Sequence, residues 1–563
     1  MNLLLRFSLI ILIFKFTIAP AQNPYQKGWQ ALNNADVDNA IKFFEQARKN
    51  NSLKENSLLC LTLLYSQNNR EKDASECFEE YFNISKDPYP ALFALWFEEG
   101  VIGHAGKKKP HQQARLEKIN NDSANKGKLD GGTLYRLGTS KVMSFDKEGS
   151  KQYFNQLNYL NDWSVLGPFD NVMNSGFDKD VGAVSNPGAN SRFISKYGSE
   201  VSWFDPPLNI YDAYFFKDMY FQSANSIIYA QAFVEAEREE DYILKFGYSG
   251  SLKVWVNDSL IYTESENRET EMDYYRFKCK LNKGYNRILV QLGDYNESYS
   301  NFTMRLTDTE HNPVKLPQST QLQQYQKQLL RAEQIPFFSV EALEKKVKED
   351  DDLVYKFLLV KAYLRSKQIY EAEEILEAIY AKEPKNFFVL RNFVLLYEKA
   401  SDNTNQNKFY QLFKETYPED INILLNDLAD YRNEGNKSKY KNAVTAYLEK
   451  YPNHYDKMYY EMVVSDMYSE LEKTLALIDT LYTQYPDDYT AVTTKYDIER
   501  NYYSRPETAN KLLEKYLEEN YSYNIVNELV GNYVNEGLMD KAVQLLERNI
   551  DMVNSSSESY SYL

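Results

Sequence analysis

The hydrophobic positions of this chain change their period twice. From residue 23 to about 140, and from about 345 to 555, apolar residues recur at three- and four-residue intervals, as on one face of a helix. In the run Tyr370 to Ile379, Ala372, Leu376 and Ile379 share such a face, and Lys541-Ala542-Val543-Gln544-Leu545-Leu546 repeats the pattern. Between about 146 and 315 the helical period fades, and aromatic and β-branched residues become frequent. There Leu252, Val254 and Val256 alternate with Lys253 and Trp255, as in a strand. Asn257-Asp258-Ser259 reads as a hairpin turn leading into Leu260-Ile261-Tyr262. Asn282-Lys283-Gly284 is a second turn, after which Ile288, Val290 and Leu292 face one way. Many short strands with turn punctuation predict a β-sandwich between two helical regions.

The helical regions repeat. Pro384, Pro418, Pro452 and Pro486 lie 34 residues apart. Each follows a predicted helix, which a proline ends because it lacks an N–H and restricts the residue before it. Ala372 and Ala542 are 170 residues apart, five times 34, and small residues there let helices approach closely. Near the N-terminus, Ala74 and Phe78 follow Ala40 and Phe44 by 34 residues, with Gly28 and Ala47 completing the motif. This pattern resembles the tetratricopeptide repeat family over about 345 to 555, in six units. Gln406, Tyr440, Thr474 and Thr508 depart from the small residue, and Asn520 stands for a fifth proline. Residues Gly103 to Lys128 read as a polar loop or irregular pair. A solenoid presents a concave face built from the first helix of each hairpin. Tyr363, Tyr397, Tyr431 and Tyr533 are the candidate protein contacts on it, with envelope or surface proteins as partners.

The middle region carries Trp163-Ser164-Val165-Leu166-Gly167-Pro168-Phe169-Asp170-Asn171, then Gly176-Phe177-Asp178, Val201-Ser202-Trp203 and Lys283-Gly284-Tyr285-Asn286. These segments resemble the jelly-roll module of exported bacterial proteins that continue into a transglutaminase-like domain. Similar sandwiches include PA14 and galactose-binding-like folds, many of which bind sugars. The resemblance implies that the chain stops before such an enzymatic domain, and makes a glycan one candidate ligand. Trp203, Tyr248, Trp255 and Tyr262 are the residues that could form a sugar platform; the alternative is that they are core. Trp255, opposite the Leu252/Val254/Val256 face, is the prime candidate for a surface contact.

The expected architecture is therefore multidomain α plus β, with tetratricopeptide-type α-solenoid segments flanking a central β-sandwich (jelly-roll). Residues 1–21 read as a signal peptide, 22–145 as helical repeats, 146–318 as the sandwich and 319–563 as the C-terminal solenoid. In the leader, Arg6 precedes an apolar stretch from Phe7 to Phe14, and Ala19-Pro20-Ala21 is a small-x-small cleavage site before Gln22. No later segment is apolar enough to span a membrane. The Asn-, Lys- and Tyr-rich composition, with 48 tyrosines, suggests a Gram-negative bacterium of the Bacteroidota type, and hence a periplasmic or cell-surface location. A net charge of -16 argues against nucleic acid and anionic membranes as partners. The one dense basic run, Lys107-Lys108-Lys109, reads as a solvated linker.

Candidate chemistry changes this picture little. Three cysteines in an exported chain of 563 residues are no disulfide framework; Cys60 and Cys77 could pair, but buried free thiols fit better. Gly247-Tyr248-Ser249-Gly250-Ser251 lacks the last glycine of a nucleophile elbow. The histidines His104, His111, His311 and His454 have no zinc-ligand spacing. Asp170, Asn171, Asn174, Asp178 and Asp180 could offer oxygens to calcium, but a turn network is the simpler reading. No catalytic residue, metal ligand or cofactor is expected. The chain reads as an exported, non-enzymatic scaffold for protein partners, with two alternatives. One is a carbohydrate-binding protein acting through the sandwich. The other is a truncated, non-catalytic portion of a transglutaminase-like enzyme.

Overall fold

The computed structural model describes residues 23–103, 110–142, 146–206, 214–221, 223–294, 300–329 and 331–549. The leader, His104, Lys107-Lys108-Lys109 and the Ser-rich end at 555–561 lie outside them. Eight helices come first: α1 (Pro24–Asn33), α2 (Val37–Ala47), α3 (Lys54–Gln67), α4 (Glu71–Ile84), α5 (Tyr89–Ala94), α6 (Pro110–Asn121), α7 (Asp130–Val142) and α8 (Lys147–Leu157). α1/α2 and α3/α4 are the two hairpins that the 34-residue motif predicts. Gly28 permits the first: a Cβ there would come within 2.7 Å of the Phe44 ring, so only a glycine lets α2 lie this close.

Seven main strands follow: β1 (Ser164–Asp170), β2 (Ser226–Ala236), β3 (Glu240–Val256), β4 (Ser259–Glu269), β5 (Tyr275–Leu281), β6 (Gly284–Gly293) and β7 (Asn301–Thr307). They form one antiparallel sheet folded on itself through the 17-residue strand β3. The first half of β3 pairs β5 on one edge and β7 on the other. Its second half pairs β4 and β6, and β6 continues to β2 and β1. The bend falls at Gly250, where φ is +113° and a Cβ would meet the Gly293 carbonyl oxygen at 2.4 Å. Tyr242, Leu244 and Phe246 of the first half face the same core as Leu252, Val254 and Val256 of the second. This is a sandwich core, but its strands are longer than the short ones expected. Sheet pairing continues beyond β7 at Gln318–Ser319 and Glu333–Gln334.

The C-terminal helices are α9 (Phe338–Asp350), α10 (Leu353–Arg365), α11 (Ile369–Tyr380), α12 (Phe387–Lys399), α13 (Asn403–Thr416), α14 (Ile421–Asn433), α15 (Lys437–Lys450), α16 (His454–Met467), α17 (Leu471–Gln484), α18 (Tyr489–Asp497), α19 (Pro506–Glu519), α20 (Tyr523–Asn535) and α21 (Met539–Asn549). Side-chain caps fix where the even-numbered helices begin. Asp352, Asn386, Asp420, Asn453, Asp488 and Ser522 each accept a hydrogen bond from the first turn. These caps recur at 33 to 35 residues, and they set the phase of the repeat as firmly as the prolines do.

The two helical regions touch. α1, α3 and α5 share one hydrophobic core with α9, α10 and α12. Trp29 stacks on Phe357 at 5.9 Å and meets Phe388 edge-on at 5.9 Å. Polar contacts surround this seam: Tyr25 Oη donates to Asp352 at 2.7 Å, Tyr355 Oη to Asn56 at 2.9 Å, and Tyr417 Oη to the Leu32 carbonyl at 2.9 Å. Lys361 pairs with Glu98 across it, and Arg365 Nη1 donates to the Phe93 carbonyl. The sandwich is therefore inserted between two stretches of chain that fold as one helical body.

Candidate functional site: the uncovered face of the C-terminal repeats

A surface helix of a globular protein is apolar on one stripe and polar elsewhere, whereas a helix apolar all round is buried. α10 and α12 are of the second kind: Val354, Phe357, Leu358, Val360, Phe387, Phe388, Leu390 and Leu396 are all fully or almost fully buried. Their outer face carries α1, α3 and α5. The repeat phase shows what happens to the same face further along. The positions equivalent to Phe388 are Asn422, Asp456, Thr490 and Asn524. Those equivalent to Phe357, beyond Arg391 in α12, are Leu425, Tyr459, Thr493 and Asn527. Those equivalent to Lys361, beyond Leu395, are Ala429, Val463, Asp497 and Gly531. Apart from Val463, these twelve residues are exposed or half-buried.

From α14 onward these positions are therefore mostly polar and, Val463 apart, exposed or half-buried. Ile423 of α14 still belongs to the core shared with the N-terminal helices, but the two other cores within 421–546 consist of C-terminal residues alone. The face holds two carboxylates, Asp456 and Asp497, and no cation among the twelve positions. On α16, Tyr455 and Tyr459 stack with planes 7° apart, and Tyr459 lies edge-on to Tyr460 at 5.3 Å. Tyr455 Oη donates to Asp488, the cap of α18, at 2.7 Å. Burial and that carboxylate both push the Tyr455 phenol well above its ordinary value, so it stays a donor throughout the physiological range. α18 ends in a π-helical turn, Ile498–Tyr502, an irregularity that often marks functional segments.

The predicted contact tyrosines are not on this face. Tyr363, Tyr397 and Tyr533 are buried, and Tyr431 is half-buried with Lys439 over its ring. Tyr363 donates to Glu344, Tyr397 to Glu373 and Tyr533 to Glu514. In each case the acceptor lies on the preceding helix. Tyr65 of α3 does the same with Glu45 of α2, at 2.8 Å. These tyrosines pin one hairpin to the next, because each side chain points back to the preceding helix and not into the groove.

The predicted sugar platform is likewise interior. Tyr248 is 1% exposed and lies in the sandwich core, with its hydroxyl 2.7 Å from that of half-buried Tyr262. Trp255 is 9% and Trp203 4% exposed. Trp255 does face away from Leu252, Val254 and Val256, as the alternation implies, but that outer face is not open. Phe177, Ala183, Phe193 and Trp203, from the long connection after β1, cover it. Arg287 fastens this cover by donating to the Ala183 and Val184 carbonyls at 3.0 and 2.6 Å. Sequence alternation locates the two faces of a strand, but not a cover contributed by distant chain.

Other candidates resolve plainly. Gly247 to Ser251 lies inside β3 and forms no elbow. Asp178 pairs with Lys253, Asp180 accepts from the Gly182 N–H, and Asn171 accepts from the Gly176 N–H, which is a turn network. No group of three or more metal-binding side chains occurs among the described residues. Cys60, Cys77 and Cys279 are free and buried. No helix among the described residues is long and apolar enough to cross a membrane.

No family model matches the chain, and no curated protein matches it in sequence. Among solved structures, a tetratricopeptide repeat protein from Parabacteroides merdae aligns at 14% identity and a TM-score of 0.30, over 40% of this chain and 90% of its own. Yeast Tom70 aligns at 11% identity and a TM-score of 0.25, over 96% of this chain and 93% of its own. Scores of this size carry no argument, and the helical repeats stand on the capped, 34-residue hairpins of the chain itself.

Proposed function

We propose that the chain is a non-enzymatic scaffold that holds an extended segment of a partner protein on the uncovered face of α14, α16, α18 and α20. One observation carries the reading. Val354, Phe357 and Phe388, which the chain's own N-terminal helices cover at α10 and α12, give way at most of the same repeat positions further on to polar, exposed or half-buried residues, Tyr459 among them. Asparagine and threonine side chains offer hydrogen bonds to a peptide backbone, and Tyr459 offers a flat contact at low entropic cost. Asp456 and Asp497 favour a neutral or basic segment over an acidic one, with Arg432, at the Tyr459 hydroxyl, the neighbouring cation. The leader read from the sequence suggests that this holding happens outside the cytoplasm, on another envelope or surface protein.

The test is an array of extended 15-residue peptides of graded charge, probed with the mature chain and with a Tyr459→Ala/Asn527→Ala variant. Exposed Glu472 on α17, changed to Ala, supplies a control on the opposite helix layer. Saturable binding to neutral and basic peptides, lost in the double variant and kept in the control, supports the reading. Binding that survives the double variant, or that prefers acidic peptides, rejects this face. A glycan-binding sandwich has less support, since three of its four candidate aromatics are buried and Tyr262 is half-buried.

A further inference from the structure

Where the N-terminal helices meet the sandwich, three cations stand side by side on neighbouring strands. Lys245 of β3 lies in register with Arg276 of β5 on one edge and with Arg305 of β7 on the other. All three are buried. Directly opposed residues on adjacent strands are about 5 Å apart at Cβ, so the three like charges repel one another. Two carboxylates answer them. Arg305 pairs with Asp273 and with Asp130 at the start of α7. Arg276 spends its donors on the backbone carbonyls of Asp273, Gly127 and Lys128.

The charges do not balance. Burial tends to raise the Asp130 carboxyl, but Arg305 and Lys245 overcome it and hold it at about 2, so it is ionised at neutral pH. Burial lowers Lys245 only to about 8, so it remains a cation there. Burial, with Lys245 and Arg276 nearby, lowers the facing His311 to about 4, so it is neutral. The other titratable neighbours are the Tyr159 phenol, which burial and Asp273 raise far above neutrality, and the exposed Lys126. Three buried cations against buried Asp273 and half-buried Asp130 leave one positive charge over.

The unused hydrogen-bonding groups point the same way. Lys245 Nζ has no partner, nor has Arg305 Nη1, and the same holds for Thr307 Oγ1 and His311 Nδ1. Asp130 Oδ1 is the one carboxylate oxygen among these unpartnered atoms. A buried ammonium with no partner is costly and does not persist uncompensated. We propose that this junction is an anion site, in which Lys245, Arg305 and the neighbouring Thr307 hydroxyl hold one small monovalent inorganic anion of the halide type. The anion ties β3 to β7, because its ligands Lys245, Arg305 and Thr307 lie on those two strands, while Asp130 of α7 balances part of the same positive charge through Arg305.

Bromide is the probe, used on the full mature chain. Crystals in sodium bromide are examined for anomalous scattering, and thermal unfolding is followed as bromide replaces gluconate at constant ionic strength. The expected result is an anomalous peak within hydrogen-bonding reach of Lys245 Nζ. Bromide should also raise the unfolding midpoint to a plateau in the wild type and in Lys283→Met, an exposed control, but not in Lys245→Met. No peak at Lys245 under saturating bromide overturns the proposal, whether or not Lys245→Met folds. An equal bromide response in Lys245→Met and the wild type also overturns it. The proposal stands apart from the peptide-holding face, since neither experiment touches α14 to α20.

Discussion

Replacing Trp29 by alanine should loosen α10 and α12 while leaving the distal repeats intact. Trp29 is 8% exposed, stacks on Phe357, and meets Phe44 and Phe388 edge-on at 5.6 and 5.9 Å. Truncating such a side chain costs about 3–5 kcal/mol, combining lost transfer energy with the cavity left behind. The loss falls on the core shared by α1, α3, α5, α10 and α12, whereas the helices from α15 onward are packed among C-terminal residues. The assay is native-state amide hydrogen exchange, which reads the opening free energy of each segment separately. Each ~1.4 kcal/mol is a factor of ten, so protection in α10 and α12 should fall by roughly two to three and a half decades. Protection in α16 and α20 should stay within a factor of about three. A uniform fall along the whole solenoid would refute the reasoning, because it would mean that the distal repeats depend on the seam. An unchanged α10 would refute it too, since α1 would then contribute nothing to the seam.

Further outcomes follow from the same geometry. Tyr363→Phe and Tyr533→Phe, each removing a hydrogen bond to a carboxylate between hairpins, should each cost about 1–3 kcal/mol in denaturant titrations, without altering peptide binding. Burial tends to raise the Glu98 carboxyl, but Lys361 and the Ser66 hydroxyl overcome it and hold it below its ordinary 4.5. Its contribution to the seam is therefore present above pH 4.5 and lost as pH falls through the lower folded value; exchange in α10 measured from pH 6 down to pH 3 should show this, and Glu98→Gln should flatten it. Burial pushes the Cys77 and Cys279 thiols up to about 12, so neither should react with a thiol reagent at pH 8 until the protein is unfolded. Arg287→Lys, which cannot reproduce the fork to Ala183, Val184 and Gln231, should expose Trp255 and shift its fluorescence to the red.

Much of the fold was legible in the sequence because its signals are local. Proline spacing and the three-four periodicity each act within one hairpin, and together they set helix positions in the C-terminal half; the recurring caps act as locally but went unread. Alternation in β3 likewise assigned Leu252, Val254 and Val256 to one face and Trp255 to the other. The candidate site was less legible. The tyrosines singled out for binding are at correct repeat positions, but a periodic pattern does not say which stripe meets a neighbour. Asn422, Tyr459, Thr493 and Asn527 went unremarked because a polar surface residue carries no signal of its own. They stand out only against Phe388 and Phe357, whose burial depends on residues more than 300 positions away.

Sequence by itself determined the period, the alternation of strands and helices, and the absence of a disulfide framework, since each follows from short-range sterics and composition. The tertiary structure decided which surfaces are free. It laid α1, α3 and α5 over α10 and α12, and closed the Trp255 face with the chain from Phe177 to Trp203. It also brought Asp130, Lys245 and Arg305 together at one junction. Those outcomes depend on long-range packing of apolar faces and on the balance of buried charge, quantities that no local window of the chain contains.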